Sequence, residues 1–206
     1  EIMPSLVGSE MCIRDSDWAS NTAAQYGALA HSFLQGRLDL EKDPPAAMAD
    51  LANPYDTAAR QDAAPDALWD VAYYNGRYYV YFGVIPCLLF QLPFEALTGI
   101  QNLAYAPCMV VLGLLLLAAC FGVVGQAVRR WFPQTSAAAY LLAVAAVVLG
   151  SQLYYLLVRP YIYEYAILCG AALLMLGLWL WLSAASTPVE KRGAILAKLA
   201  FGSLFA

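Results

Sequence analysis

Hydrophobic and polar positions divide this chain into a polar first part and an apolar second part. From Tyr78 to Val189 the only charged residues are Glu95, Arg129, Arg130, Arg159 and Glu164. Three apolar runs in that stretch, 103–128, 137–158 and 161–182, each reach the roughly 20 residues a helix needs to cross a bilayer core. A fourth begins at Ala194 and is cut at Ala206. The polar part carries other periods. Ala23, Tyr26, Leu29, Ala30, Phe33 and Leu34 recur at spacings of three and four, which predicts an amphipathic helix within 17–36. Asn21 or Thr22 would cap it and Gly36 would end it. Residues 37–70 read as a loop, with Pro44, Pro45, Pro54 and Pro65, a short helix at 46–51 and a turn at Asn53-Pro54-Tyr55-Asp56. Residues 69–83 then read as a β-hairpin. Asn75-Gly76 suits a two-residue type I′ turn, and β-branched and aromatic residues flank it. This register sets Tyr73 opposite Tyr78 and Val71 opposite Val80.

Sidedness follows from the basic residues. Arg129-Arg130 closes the first apolar run and Lys191-Arg192 follows the third, two spans apart and therefore on one side. The positive-inside rule makes that side cytoplasmic and leaves Arg159-Pro160 outside. Residues 84–97 decide where the polar part lies. They are too few to span and include Pro86, Pro93 and Glu95, so they read as an interfacial helix, with Pro93 interrupting its hydrogen bonding. Residues 17–102 are then extracytoplasmic, delivered by a span upstream. The expected fold is an all-α polytopic membrane protein in the bacterial cytoplasmic membrane. Its extracytoplasmic loop region carries short helices and the hairpin, and the membrane region covers 103–206.

Composition agrees. Of 206 residues 62% are hydrophobic and 13% charged, against about 25% charged in a soluble domain. Residues 17–77 hold nine acids and four bases, which argues against nucleic acid or anionic headgroups as partners of this loop. Residues 1–16, EIMPSLVGSEMCIRDS, lack the apolar region of a signal peptide and resemble translated sequencing-adapter sequence. They are set aside from fold reasoning. Both ends read as truncated, so the chain is expected to be a fragment of a larger membrane protein.

Three short pieces carry a resemblance: the helix from Tyr26 to Gly36, the turn Tyr74-Asn75-Gly76-Arg77-Tyr78-Tyr79, and the proline-led segment from Pro86 to Gly99. Together, over residues 21–130, they resemble GT-C membrane glycosyltransferases of the group that includes protein mannosyltransferases and aminoarabinose transferases. A set of bacterial integral membrane proteins with no assigned reaction looks closer still. It shares Asn-Pro-Tyr-Asp, Tyr-Tyr-Asn-Gly-Lys/Arg-Tyr-Tyr-Val-Tyr-Phe-Gly and Arg-Pro-x-x-Tyr-Glu. The resemblance implies transfer of a sugar from a polyprenyl-phosphate donor to an acceptor outside the membrane. In the family an acidic pair opens the first outer helix and supplies the base. Here Thr22 and Ala23 stand at that place, and neither can act as one. The base then comes from another loop acid, or from an acid upstream, or the protein is not a transferase.

Asp56 and Asp70 are the candidate bases or metal ligands, each with a structural alternative: an Asx turn for Asp56 and a strand end for Asp70. Arg77, Arg159, Glu164, Tyr78 and Tyr79 are the candidate residues for a lipid phosphate or substrate. A guanidinium matches phosphate bidentately, and the hairpin tyrosines would form a platform or simply interfacial packing. Glu164, one turn into a helix led by Pro160, would pair with Arg159 or be favoured by the helix N-terminus. His31 reads as a polar-face residue, and Cys87, Cys108, Cys120 and Cys169 as small buried hydrophobes. No metal site is indicated, although the loop acids leave a divalent cation open as a cofactor. The second functional class is a transporter or other non-enzymatic membrane protein. Charges gathered outside the membrane region favour the transferase.

Overall fold

The computed structural model describes residues 23–68 and 70–205. The adapter-like segment 1–16, the caps expected at Asn21 or Thr22, and Trp69 lie outside the described residues. The chain forms two compact units, one up to Ala104 and one from Tyr105. It is mostly helical, with one two-stranded hairpin.

In the first unit, α1 (Ala23–Leu34) ends as its period predicts, with Gly36 in the left-handed region at φ 74°. Tyr26, Leu29 and Ala30 form its buried face. Two short helices follow, α2 (Ala47–Asp50) and α3 (Thr57–Ala63). The second of these replaces what the sequence presents as loop. Asp56 starts it by accepting hydrogen bonds from the backbone N–H groups of Ala58 (3.0 Å) and Ala59 (3.3 Å), which satisfies two of the helix's free donors.

Strands β1 (Ala72–Tyr74) and β2 (Arg77–Tyr79) pair antiparallel, Tyr73 opposite Tyr78 and Tyr74 opposite Arg77. Asn75 and Gly76 both have positive φ, 48° and 73°, as a type I′ turn demands. The ladder stops at the Ala72–Tyr79 pair, so the expected Val71–Val80 pair does not form within it. Tyr55 substitutes for a third strand. Its hydroxyl donates to the carbonyl of Tyr73 (2.8 Å) and accepts from the same residue's N–H (3.0 Å).

Beyond the hairpin, a π-helical turn (Cys87–Gln91) runs into α4 (Leu92–Thr98). The interruption expected at Pro93 does not occur. The N–H of Leu92 reaches five residues back to Cys87, so the wider π turn absorbs the donor that proline lacks. Gly99, at φ 70°, closes α4 and donates to Glu95 O at 2.8 Å. This segment packs on α1. Tyr26 donates to Gly83 O (3.0 Å), and the Cys87 thiol donates to Tyr26 O (3.5 Å). Burial, with Glu95 nearby, pushes that thiol up to about 12, so it stays protonated and inert. Cys108, Cys120 and Cys169 are also buried and outside any disulfide among the described residues, as the sequence implies.

The second unit is helical: α5 (Tyr105–Trp131), α6 (Ala137–Gly150), α7 (Leu153–Val158), α8 (Ile162–Ala185) and α9 (Arg192–Phe205). Only α5 and α8, among the described residues, are long and apolar enough to cross a membrane. The run 137–158, expected as one continuous helix, breaks at its middle. Gly150 ends α6, Ser151 turns its hydroxyl back to Val148 O (2.7 Å), and Gln152 takes φ 55°. A small residue and a hydroxyl that competes for backbone carbonyls make this the weak point of the run.

α5 and α8 run in the same direction. Tyr105 stacks on Tyr165 at their N-terminal ends, centroids 4.8 Å apart. Met109, Leu112, Leu116 and Ala119 of α5, with Leu168 and Ala172 of α8, form the buried seam. Gly122 admits the indole of Trp179 where any Cβ would overlap it. The stretch between the two helices therefore has to return. α6 places Tyr140 beside the later part of α5, donating to Phe121 O at 3.0 Å, while Leu153 and Leu157 of α7 reach Gly113 near its start.

Candidate functional site

The polar unit contains three arrangements of titratable groups. The first surrounds Asp39, one of the nine acids of residues 17–77. Asp39 is buried. Its Oδ2 accepts from Arg37 Nη2 at 2.6 Å and from Arg77 Nη1 at 3.0 Å. Leu40 next to it donates to Tyr78 O (2.8 Å), so this segment runs along β2 and is pinned to it at two points. The hydrogen bond from Arg37 outweighs the cost of burial and, with Arg77 close by, holds the Asp39 carboxyl down at about 2. Arg77, a candidate for a lipid phosphate, thus has one N–H committed to Asp39, although more than half of its side chain remains exposed. Tyr78 is fully buried, edge-on to Tyr73 at 6.1 Å, and serves as hairpin core; Tyr79 is half-buried.

The second is a cleft of about 370 Å³ walled by Tyr55, Thr57, Arg60, Asp70, Val71 and Tyr81. Asp70 sits there in the left-handed region at φ 56°. Asp56, one residue from two of the wall residues, spends one carboxylate oxygen on capping α3, which is the Asx role its turn motif suggests. The two candidate acids therefore occupy neighbouring segments with different surroundings. Asp56 is exposed and Asp70 half-buried.

The third arrangement, like the Asp39–Arg77 pairing, was missed by sequence reasoning. His31 Nδ1 lies 2.7 Å from Glu95 Oε1. Glu95 is only 6% exposed, and its Oε2 has no hydrogen-bond partner among the described residues. Gln101 Nε2 also approaches Nδ1 (2.8 Å), and Gln35 Nε2 approaches the far nitrogen, Nε2 (2.8 Å), with the Glu41 carboxylate 3.6 Å from it. A carboxylate on Nδ1 fixes the proton there and leaves Nε2 as an acceptor, which the Gln35 amide N–H meets at 2.8 Å; a hydroxyl that displaces Gln35 from Nε2 would find a general base there. The partners are 64 residues apart in sequence, so no local motif marks them. The only signals were a lone acid in an apolar helix and a lone histidine. No cluster of three or more histidine, cysteine or carboxylate side chains able to hold a metal occurs among the described residues.

In the second unit Arg159 and Glu164 meet as the sequence suggests. Arg159 Nε lies 3.9 Å from Glu164 Oε1. The stronger contacts are aromatic. Arg159 Nη1 donates to the Tyr155 hydroxyl (2.7 Å), and the guanidinium stands over the rings of Tyr155 (5.4 Å) and Tyr161 (5.5 Å). α8 starts at Ile162, so Pro160 lies just before the helix and Glu164 within its first turn. Arg159 is about half exposed, at 47%, and keeps free donor capacity.

Comparison with protein families, with curated proteins and with solved structures found no match to this chain. The site therefore rests on its geometry.

Proposed function

We propose that this is a multi-pass membrane protein that acts as a GT-C-like glycosyltransferase. It would move a sugar from a polyprenyl-phosphate donor to an acceptor hydroxyl on the outer face. The observation that carries the reading is the His31–Glu95 pair. It supplies a base in the polar unit, on the helix where the resemblance expects one and where Thr22 and Ala23 cannot provide it. With the acceptor hydroxyl in place of the Gln35 amide at Nε2, the His31 imidazole takes the hydroxyl's proton as the oxygen attacks the anomeric carbon. The bond from that carbon to the phosphate oxygen breaks, and polyprenyl phosphate leaves. Glu95 holds the ring in the correct tautomer and stabilises the imidazolium. Within the second unit taken by itself, Arg159 is fixed by two tyrosines and Glu164 with its remaining donors exposed, which is the chemistry that a lipid phosphate takes.

The membrane layout has its own support. α5, about 40 Å long at 1.5 Å per residue, and α8 run the same way, so 137–158 has to return across that thickness even though it is broken. Arg129, Arg130 and Lys191 gather at one end of the unit, which the positive-inside rule makes cytoplasmic. The polar unit enters α5 at the opposite end of that helix and would thus be extracytoplasmic. The break at Ser151–Gln152 is the one feature that favours a transporter, since transporters use discontinuous helices. No charged side chain lies in the break itself, which leaves the transferase the stronger reading.

The test uses the full chain, reconstituted with polyprenyl-phosphate monosaccharides, and measures released polyprenyl phosphate. The wild type should release it. His31→Gln and Glu95→Gln should slow release by roughly 10²-fold or more. Undiminished turnover in His31→Gln would remove the base, and no release from any donor by the wild type would remove the transferase.

A further inference from the structure

At the end of the second unit opposite the Tyr105–Tyr165 stack lies a cavity of about 750 Å³. Four cations line it: Arg129 and Arg130 from the end of α5, Lys191 from the turn after α8, and Lys198 from α9. No carboxylate lines it, and none of the four is ion-paired among the described residues. Glu190, the nearest acid in sequence, lies outside the wall. The C-terminal end of α8 offsets part of this charge. Arg130 Nη1 donates to Ala185 O (3.3 Å), and a helix end presents only about half a negative charge. Lys198 is half-buried, donating to Ser183 Oγ (2.8 Å) and Thr187 Oγ1 (2.9 Å), so its ammonium is held in place and keeps one N–H free. A positioned ammonium and guanidinium forks around an uncompensated positive cavity are the donor set that a phosphate group satisfies.

We infer that this cavity binds a phosphate-bearing anion, the headgroup of an anionic phospholipid. Its setting favours a lipid over a free phosphate ester. The cavity opens at the ends of the two helices long and apolar enough to cross a membrane, and exposed Trp131, Phe132, Leu196 and Leu199 flank its cationic residues in sequence. Basic pockets between membrane helices on the cytoplasmic side are suited to such headgroups. The inference uses residues of the second unit alone and stands apart from the transferase chemistry, although its lipid source rests on the membrane layout proposed above.

Thermal unfolding of the full chain in zwitterionic detergent tests it, titrated separately with phosphatidylglycerol, phosphatidylcholine and glycerol 3-phosphate. Phosphatidylglycerol should raise the midpoint saturably while phosphatidylcholine does not. The double variant Arg129→Gln/Lys191→Gln spares Arg130, which ties α5 to α8, and Lys198, which ties α9 to the end of α8. Two lost cations should weaken its half-saturation roughly thirtyfold. Lys191→Gln alone, at an exposed turn, serves if the double variant does not fold, and should weaken binding about fivefold. An equal response to glycerol 3-phosphate at the same concentration would keep the phosphate site and overturn the lipid. Equal responses to the two lipids, with none to glycerol 3-phosphate, would overturn the site. So would a phosphatidylglycerol response unchanged in both variants.

Discussion

Replacing Gly122 with alanine probes the seam on which the second unit is built. A Cβ at this position would overlap Cδ2 and Cε2, the fusion atoms of the Trp179 indole, and the adjoining Nε1. The ring cannot swing a tip aside; it has to move as a body, and α8 with it. Overpacking of this kind costs about 1–3 kcal/mol. Alanine also returns up to about 1 kcal/mol of helix propensity over glycine, so the net loss should be up to about 2 kcal/mol. The double variant Gly122→Ala/Trp179→Leu removes the obstacle and should recover most of that loss, with a coupling energy of at least about 1 kcal/mol. Far-UV circular dichroism during titration from mild detergent into sodium dodecyl sulfate reads all four corners of the cycle. A Gly122→Ala variant more stable than wild type, with no coupling to Trp179, would show that α5 and α8 do not meet at this point, and the parallel arrangement would go with it.

Asp39 makes the hairpin acid-sensitive in a defined window. Its carboxyl sits at about 2 in the folded chain against about 3.9 ordinarily. Its contribution is therefore complete above about pH 4 and is lost as the pH falls through about 2. Near-UV circular dichroism of the tyrosines should show that loss, and Asp39→Asn should lack it; a variant with the wild-type profile would exclude Asp39 as the cause. Arg159→Lys keeps the charge but not the planar fork. With expression unchanged, its polyprenyl phosphate release should fall as far as that of Arg159→Ala, and full release would dismiss the guanidinium as the phosphate ligand. Asp56→Ala should fray α3 at a cost of about 1 kcal/mol, as for other N-caps. If transfer also drops beyond what Asp56→Ser restores, the acid has a second role besides capping, as turnover of the two variants would show.

Local chemistry was legible in this sequence, and long-range pairing was not. Asn75-Gly76 announces its turn because the required φ values restrict the residues that can occupy it, and the register follows from that turn alone. The 3.6-residue period of Tyr26, Leu29 and Ala30 likewise identified the buried face of α1, although it also carried Leu34, which lies in the last turn and is exposed. By contrast, α3 hid because Thr57 to Ala63 carries no apolar stripe; its one signal, Asp56 as a cap, reads equally well as a turn. Pro93 was expected to break a helix because proline lacks a donor, and a π turn upstream removed the need for that donor. Gly150-Ser151-Gln152 interrupts an apolar run that composition treats as uniform. The two polar nodes, Asp39 with Arg77 and His31 with Glu95, join residues 38 and 64 positions apart. Only the folded chain brings them together, so a lone histidine and a single acid in an apolar helix looked unremarkable in the linear sequence.

Sidedness is what the functional account depends on most. Cysteines introduced singly at Gln61 and Gln134, both exposed, in a chain whose native cysteines are replaced by serine or alanine, can be labelled in intact cells with a membrane-impermeant thiol reagent. The proposed layout requires labelling at Gln61→Cys and protection at Gln134→Cys until the cells are opened. The reverse pattern would put the His31–Glu95 pair in the cytoplasm and contradict transfer to an outer acceptor.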